Sequence, residues 1–193
     1  MKNPSNNTGW LIWSMILFTF APLCGQSWQK IYGGTANFAD VEPTPDGGYI
    51  ATRSGSTVAF KTDAQGTLLW EYHLPPGYQT PEGESVALSP DGNYVVTGSA
   101  YVNTPAFQPY MFLTKLSPAG AVIWEQFFAV QGGGPFVLSA IPGGGYYVGG
   151  QYSFLLKTDE NGAQLWQYTT GSVSMRAIAR PVASASRHGN TAA

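Results

Sequence analysis

Cysteine is nearly missing from this chain of 193 residues: the single one, Cys24, lies close to the N-terminus. Past that point no thiol can form a disulfide, attack a substrate or ligate a metal. Charge is also scarce, at 10% of residues, with a net of −2. No basic stripe is available, which excludes nucleic acid as a partner, and no field of one sign steers a polyanion. Low charge beside 44% hydrophobic residues likewise excludes a disordered chain. Histidine occurs only at His73 and His188, with no neighbouring pair to hold a metal.

What is abundant is glycine (24), proline (14) and aromatic side chains (14%). That mixture predicts many short strands joined by tight turns, an all-β chain. The first 25 residues differ: Lys2 is followed by the uncharged apolar run Trp10 to Leu23, then Pro22, Cys24 and Gly25 break it before Gln26. This is the layout of a secretory signal peptide over residues 1–25, cleaved near Gly25. A membrane span, the alternative, needs about 20 apolar residues and this run is shorter. A lipoprotein signal would want a small residue before Cys24, where Leu23 stands, so the cysteine is expected to leave with the signal. The expected location is secreted, periplasmic or cell-surface, with no membrane span in the mature chain.

Three tandem copies of one unit follow. Pro45-Asp46-Gly47-Gly48-Tyr49 recurs as Pro90-Asp91-Gly92-Asn93-Tyr94 and as Pro142-Gly143-Gly144-Gly145-Tyr146. Each is followed by a lysine (Lys61, Lys115, Lys157), a hairpin loop ending in glycine (Gly66, Gly120, Gly162) and a tryptophan (Trp70, Trp124, Trp166). Lysine to tryptophan is 9 residues in every copy, and tryptophan to tryptophan, counted from the orphan Trp28, is 42, 54 and 42. A register this regular, at a period typical of propeller blades, marks a repeat architecture.

Each unit is legible physically. Proline presets φ, while Asp, Asn and Gly accept the conformations of tight turns. Asp63 to Gly66 and Asp159 to Gly162 are hairpin loops with glycine at a left-handed bulge position. The strands expected in the second copy are 85–89, 94–99, 111–117 and 121–128. They carry apolar residues on both faces (Val95-Val96, Phe112-Leu113), as do Leu155-Leu156 and Leu68-Leu69-Trp70. Only sheets sandwiched between other sheets need that, and the repeated indoles would supply broad contact between them. The 12 extra residues of the second copy fall mainly between Gly98 and Met111. Tyr101, Asn103, Phe107 and Tyr110 there form a candidate rim binding loop; a neutral insertion is the alternative.

Trp28-Gln29-Lys30-Ile31-Tyr32-Gly33-Gly34 and Lys61-Thr62-Asp63-Ala64-Gln65-Gly66-Thr67-Leu68-Leu69-Trp70 resemble the β-propeller repeats, PQQ-like or WD40-like, of secreted proteins of Gram-negative bacteria. The resemblance covers about residues 26–177 and is specific for architecture, not function. The unit also looks like the tryptophan-docking motif of quinoprotein propellers, except that Asp63 to Gly66 and Asp159 to Gly162 are one residue closer. What carries over is a structural role for Trp70, Trp124 and Trp166, with no cofactor. In that family a quinone is accompanied by calcium and often by a vicinal cysteine pair, which this chain lacks.

Little chemistry remains once the repeat is removed. Asp46, Asp91, Asp63 and Asp159 occupy turns, and residues that recur in every blade are scaffold first. Asp40, Glu42, Glu160, Arg53, Arg176, Arg180 and Arg187 are scattered. His73 ends a strand ahead of Pro75-Pro76, and Glu82 and Glu84 are read as solvated carboxylates in a polar loop. No Gly-x-Ser-x-Gly elbow and no phosphate-cradling loop is present.

The chain is therefore expected to be a partial β-propeller of three four-stranded antiparallel blades, at about 35–74, 82–129 and 135–170, flanked by orphan strands, with a disordered or truncated tail over 178–193. A propeller closes with about four to eight blades. Three copies, with Met175 to Arg180 starting a fourth inner strand, predict either a truncated frame or self-association through open blade faces. The expected function is an exported, non-enzymatic binding or scaffold module for an unknown protein or glycan, without a cofactor or metal. The alternative is a propeller enzyme of quinoprotein or glycan-cleaving type.

Overall fold

The computed structural model of the chain describes residues 29–32, 37–102, 108–130, 134–151 and 154–169. Trp28, Asn103 and Phe107 lie outside them, as do Cys24, Arg176, Arg180, Arg187, His188, the apolar N-terminal run and the tail. Among the described residues there is no α-helix, and so none long and apolar enough to cross a membrane.

Twelve strands make three separate four-stranded antiparallel sheets, each a simple meander in chain order. Blade A holds β1 (Phe38–Pro43), β2 (Tyr49–Arg53), β3 (Thr57–Thr62) and β4 (Leu68–His73). Blade B holds β5 (Gln79–Leu88), β6 (Tyr94–Val102), β7 (Gln108–Leu116) and β8 (Val122–Ala129). Blade C holds β9 (Pro135–Ala140), β10 (Tyr146–Gly150), β11 (Leu155–Thr158) and β12 (Gln164–Tyr168). Of the first strands of the blades, β5 packs between β1 and β9, and the last strands lie at the far edge of each sheet.

The turns do what their residues dictate. In blade A the Gly47 amide donates to the Thr44 carbonyl at 2.9 Å, with Gly47 at φ 83°. Each outer hairpin closes the same way, and its glycine lies in the left-handed region at φ 74°, 84° and 77° for Gly66, Gly120 and Gly162. The register shifts at one repeat position in all three blades, between Lys61 and Thr62, Lys115 and Leu116, and Lys157 and Thr158. That bulge sets each lysine directly across from the tryptophan, Lys61 from Trp70, Lys115 from Trp124 and Lys157 from Trp166. The constant separation in sequence is therefore a cross-strand pairing on one blade face.

Both faces of the middle sheet are buried. Tyr94, Val96, Phe112 and Leu116 pack with Ile50, Val58 and Tyr72 of blade A. Their sequence neighbours Val95, Leu113 and Met111 pack with Leu138, Tyr146, Val148 and Leu156 of blade C. The doubled apolar runs serve two interfaces at once, so period two is hidden in the sequence.

Two expectations about the second copy need correction. Its insertion is not a loop from Gly98 onward: the hairpin ladder continues through Ala100↔Tyr110, Tyr101↔Pro109 and Val102↔Gln108. Blade B also begins earlier than residue 82, at Gln79, because β5 lengthens to pair with the extended β6. Glu82 and Glu84 thus sit on a strand, and Glu84 is half-buried.

The turn aspartates reach back into the sheet. Lys61 is wholly buried, and its Nζ lies 2.9 Å from Asp46 Oδ2 and donates to the Thr62 carbonyl. Lys115 pairs with Asp91 at 2.7 Å. A hydrogen bond from Thr44, then the one from Lys61, hold the Asp46 carboxyl at about 2, against an ordinary 3.8. Burial pushes Asp91 upward, but its bonds from Lys115 and Asn93 outweigh that and leave it depressed. In blade C, Gly143 stands at the aspartate position, and Lys157 lies over the Tyr147 ring at 5.6 Å instead.

Asp46→Ala strands a buried ammonium and should cost about 2–3 kcal/mol in urea unfolding, below the full buried-pair penalty because Asp46 is half exposed. Lys61→Met should cost less, since water can solvate the carboxylate left behind. Because the aspartate is depressed in the folded state, its contribution is whole above about pH 4 and is lost as pH falls toward 2. Asp46→Ala should accordingly flatten the acid limb of the stability profile.

Candidate functional site

Each tryptophan of the first two blades leaves its own sheet and lands on the hairpin of the next. Trp70 Nε1 donates to the Pro118 carbonyl at 3.0 Å, and its ring lies over Gly120. A Cβ at Gly120 would come within 2.7 Å of that ring. Trp124 reaches Gly162 with the edge of its benzene ring, where a Cβ would again meet the indole at 2.7 Å and would meet Gln126 at 2.9 Å. The hairpin glycine therefore meets two demands, a left-handed turn and a flat landing place. Each indole also packs on the tyrosine that opens the next blade's second strand, Trp70 on Tyr94 at 6.2 Å and Trp124 on Tyr146 at 5.8 Å between ring centroids.

Around these contacts the two interfaces share a plan and differ in detail. The Tyr146 hydroxyl meets Ser89 at 3.0 Å, and Lys115 Nζ lies 6.0 Å over the Tyr146 ring. The interface of blades A and B has an inserted phenol that the next one lacks: the Tyr72 hydroxyl bonds Thr114 Oγ1 at 3.1 Å and donates to Glu125. Burial, then the bond to Glu125, push the Tyr72 phenol well above its ordinary range. Blade B carries Gln126 at the Tyr72 position, and blade C carries Gln167 at the Glu125 position.

The hairpin aspartates and two of the scattered residues have definite partners. Asp63 Oδ1 accepts the amides of Gln65 and Thr67 at 2.9 and 2.7 Å. Asp159 Oδ1 accepts those of Asn161 and Ala163 at 2.9 and 2.8 Å. The bond from the Thr67 amide holds the Asp63 carboxyl below its ordinary value. Asp40 accepts from Ser85 Oγ and the Val86 amide, stitching β1 to β5. His73 Nδ1 donates to the Ser56 carbonyl at 2.9 Å. Trp166 differs from its counterparts and remains 41% exposed.

The two described residues of the candidate rim loop are separated. Tyr110 opposes Ala100, on the face toward blade A, whereas Tyr101 points to the face toward blade C. Tyr110 joins an aromatic group that the sequence did not advertise: Tyr78 stacks on Phe127 at 4.3 Å and meets Tyr110 edge-on at 6.0 Å.

Two clefts lie along the innermost strands. At the end carrying the proline turns, a cavity of about 580 Å3 is lined by Pro43, Leu88, Pro90, Leu138, Ala140 and Pro142. At the opposite end, one of about 440 Å3 is polar, with Asn37, Ser54, Glu82 and Glu84 in its wall. Burial, then the charge of Glu82, raise the Glu84 carboxyl above its usual value. Among the described residues no group of three or more His, Cys, Asp or Glu side chains could hold a metal.

No family model and no curated protein matches the chain. Among solved structures it is similar to a crystal structure of a protein of unknown function from Bacteroides caccae, at 14% identity and a TM-score of 0.36. The match covers 74% of this chain and 64% of that one, so the chain spans less than two thirds of that protein's length.

The docking geometry separates two glycines that share a backbone conformation. Gly92 has φ 82° and a Cβ there would meet nothing within 4 Å, whereas Gly120 has φ 84° beneath Trp70. Gly92→Ala should cost about 1 kcal/mol, the left-handed penalty alone. Gly120→Ala should cost about 3 kcal/mol, and the excess should vanish in a Trp70→Ala background. Urea denaturation of the four variants checks this.

Proposed function

We propose that the chain is an exported β-propeller module that binds a protein or glycan ligand and performs no chemistry of its own. What supports this reading is the employment of its charged side chains. Lys61, Lys115, Asp46, Asp91, Arg53 and Glu71 are taken up in ion pairs within blades. Asp63, Asp159 and Asp40 hold loops or neighbouring strands, and Glu125 receives the Tyr72 phenol. The surfaces left for a ligand are the apolar cleft at the proline-turn end and the Tyr78, Tyr110, Phe127 group beside the lengthened hairpin. Apolar clefts with a few polar groups, and aromatic faces on a rigid scaffold, are the usual grounds for recognition.

A glycan-cleaving enzyme is the second reading, favoured by one feature: a half-buried Glu84 with a raised pKa beside Glu82 in a polar cleft. A general acid needs such a raised carboxyl, and glycoside hydrolysis needs a carboxylate pair flanking the bond.

The purified full chain, mixed with pyrroloquinoline quinone and calcium, should give no dye-linked alcohol oxidation. It should also release no nitrophenol from a panel of aryl glycosides. Turnover in either assay overturns the binding-module reading, and glycoside turnover lost in Glu84→Gln would install the second one.

A further inference from the structure

On the two outward faces of the three-blade stack the repeat's own contact residues are more exposed than their counterparts inside it. On the free side of blade C, Trp166 is 41% and Tyr168 61% exposed. Tyr72, which holds the Tyr168 position in blade A, is 5% exposed. On the free side of blade A, Val41 is 58% and Tyr49 37% exposed. The same repeat positions in blades B and C, Val86 with Tyr94 and Leu138 with Tyr146, are at 2% or less. The exposure belongs to the place in the stack and not to the residue type.

We propose that the free face of blade C docks on the free face of blade A of a second copy of this chain. The two internal interfaces supply the template. Trp166 takes the Gly66 hairpin as Trp70 takes Gly120, and Lys157 meets Tyr49 as Lys115 meets Tyr146. Tyr168 reaches Glu71 as Tyr72 reaches Glu125. This last pairing makes blade A specific: Glu71 follows Trp70 as Glu125 follows Trp124, whereas blade C has Gln167 there. The leading faces of blades B and C are already covered within the chain, so blade A of another copy is the complementary surface on this molecule.

Part of the docking ground is already occupied. Residues 29–32 rest on the outer part of this face, where Tyr32 donates to the Gly66 carbonyl at 2.8 Å and packs on Phe60 at 4.9 Å. Beside them a cleft of about 250 Å3 opens, with Arg53, Phe60, Leu68 and Glu71 in its wall. The second copy's β12 must take this ground from residues 29–32. Blade C also offers Ile141 and Gly143 where its siblings offer a hydroxyl and an aspartate. The association is therefore weaker than the internal interfaces and depends on concentration. The contact is heterologous, and two arcs of three blades joined at both ends form a six-bladed ring, within the usual range of about four to eight.

Sedimentation velocity of the full chain over a range of concentrations tests this independently of any ligand. The expected species is a dimer, twice the 20.6 kDa of one chain, dissociating on dilution. Trp166→Ala and Tyr168→Ala should raise the dissociation constant at least tenfold while the circular dichroism, and the melt taken at dilutions where both proteins are monomeric, stay unchanged. Tyr168→Phe and Glu71→Gln should each raise it about tenfold, and the double variant no further. Leu165→Ser is the control, because Leu165 and its counterparts Leu69 and Ile123 are about half exposed in all three blades. A monomer at every concentration overturns the proposal, as does a dimer that Trp166→Ala and Tyr168→Ala leave intact.

Discussion

An indole lying flat on a glycine hairpin of the neighbouring sheet is the contact on which the stack depends. A four-stranded meander has no core of its own, because it is one layer thick and must cover both faces. The tryptophan supplies the largest single piece of that cover, at the rim where blades would otherwise splay. Its hydrogen bond from Trp70 to Pro118 gives the contact a direction. Glycine is demanded twice at the landing point, by φ and by the closeness of the ring, so the pair cannot drift independently. The tyrosine beneath the indole and the lysine across the strand then inherit fixed positions.

The buried lysines follow from the same geometry. A lysine directly opposite the docking tryptophan points into the interface, where an ammonium is tolerated only with a counterion and further hydrogen bonds. The turn aspartate is the nearest group that can reach it, and blades A and B provide one. Blade C, whose lysine faces outward, has Gly143 instead, and there Lys157 is partly exposed to water. The difference between copies tracks the difference in burial: where the face is open, the ion pair is dispensable.

How much of this is legible in the amino acids depends on range. The blade count, the turn glycines and the docking role of the tryptophans follow from spacing, since a bulged hairpin sets lysine across from tryptophan with one fixed separation. The apolar doublets already imply two covered faces. The Asp46–Lys61 partnership is visible only weakly, as an aspartate and a lysine that recur together in two copies out of three. The Tyr72–Glu125 bond is invisible, because its partners lie in different blades at different repeat positions, and no spacing within one copy relates them. The insertion is misread as a loop because Pro105 and Pro109 resemble loop residues, whereas Pro109 sits at the end of a ladder opposite Tyr101. Glu84 is misread for the same cause: the strand that carries it lengthens only in response to β6.

Repetition also governs where recognition can sit. A side chain that appears in every blade is committed to the turn, the bulge or the docking contact, and altering it disturbs the whole stack. Freedom to acquire a ligand therefore lies with residues that one blade has and the others lack. In this chain those are the extended hairpin of blade B with Tyr110 and Tyr78, and the unmatched carboxylate Glu84. The hairpin is partly exposed, and Glu84 lines the polar cleft. The self-association proposed above would use a surface that the repeat already builds, with Tyr168 and Glu71 deciding which face meets which.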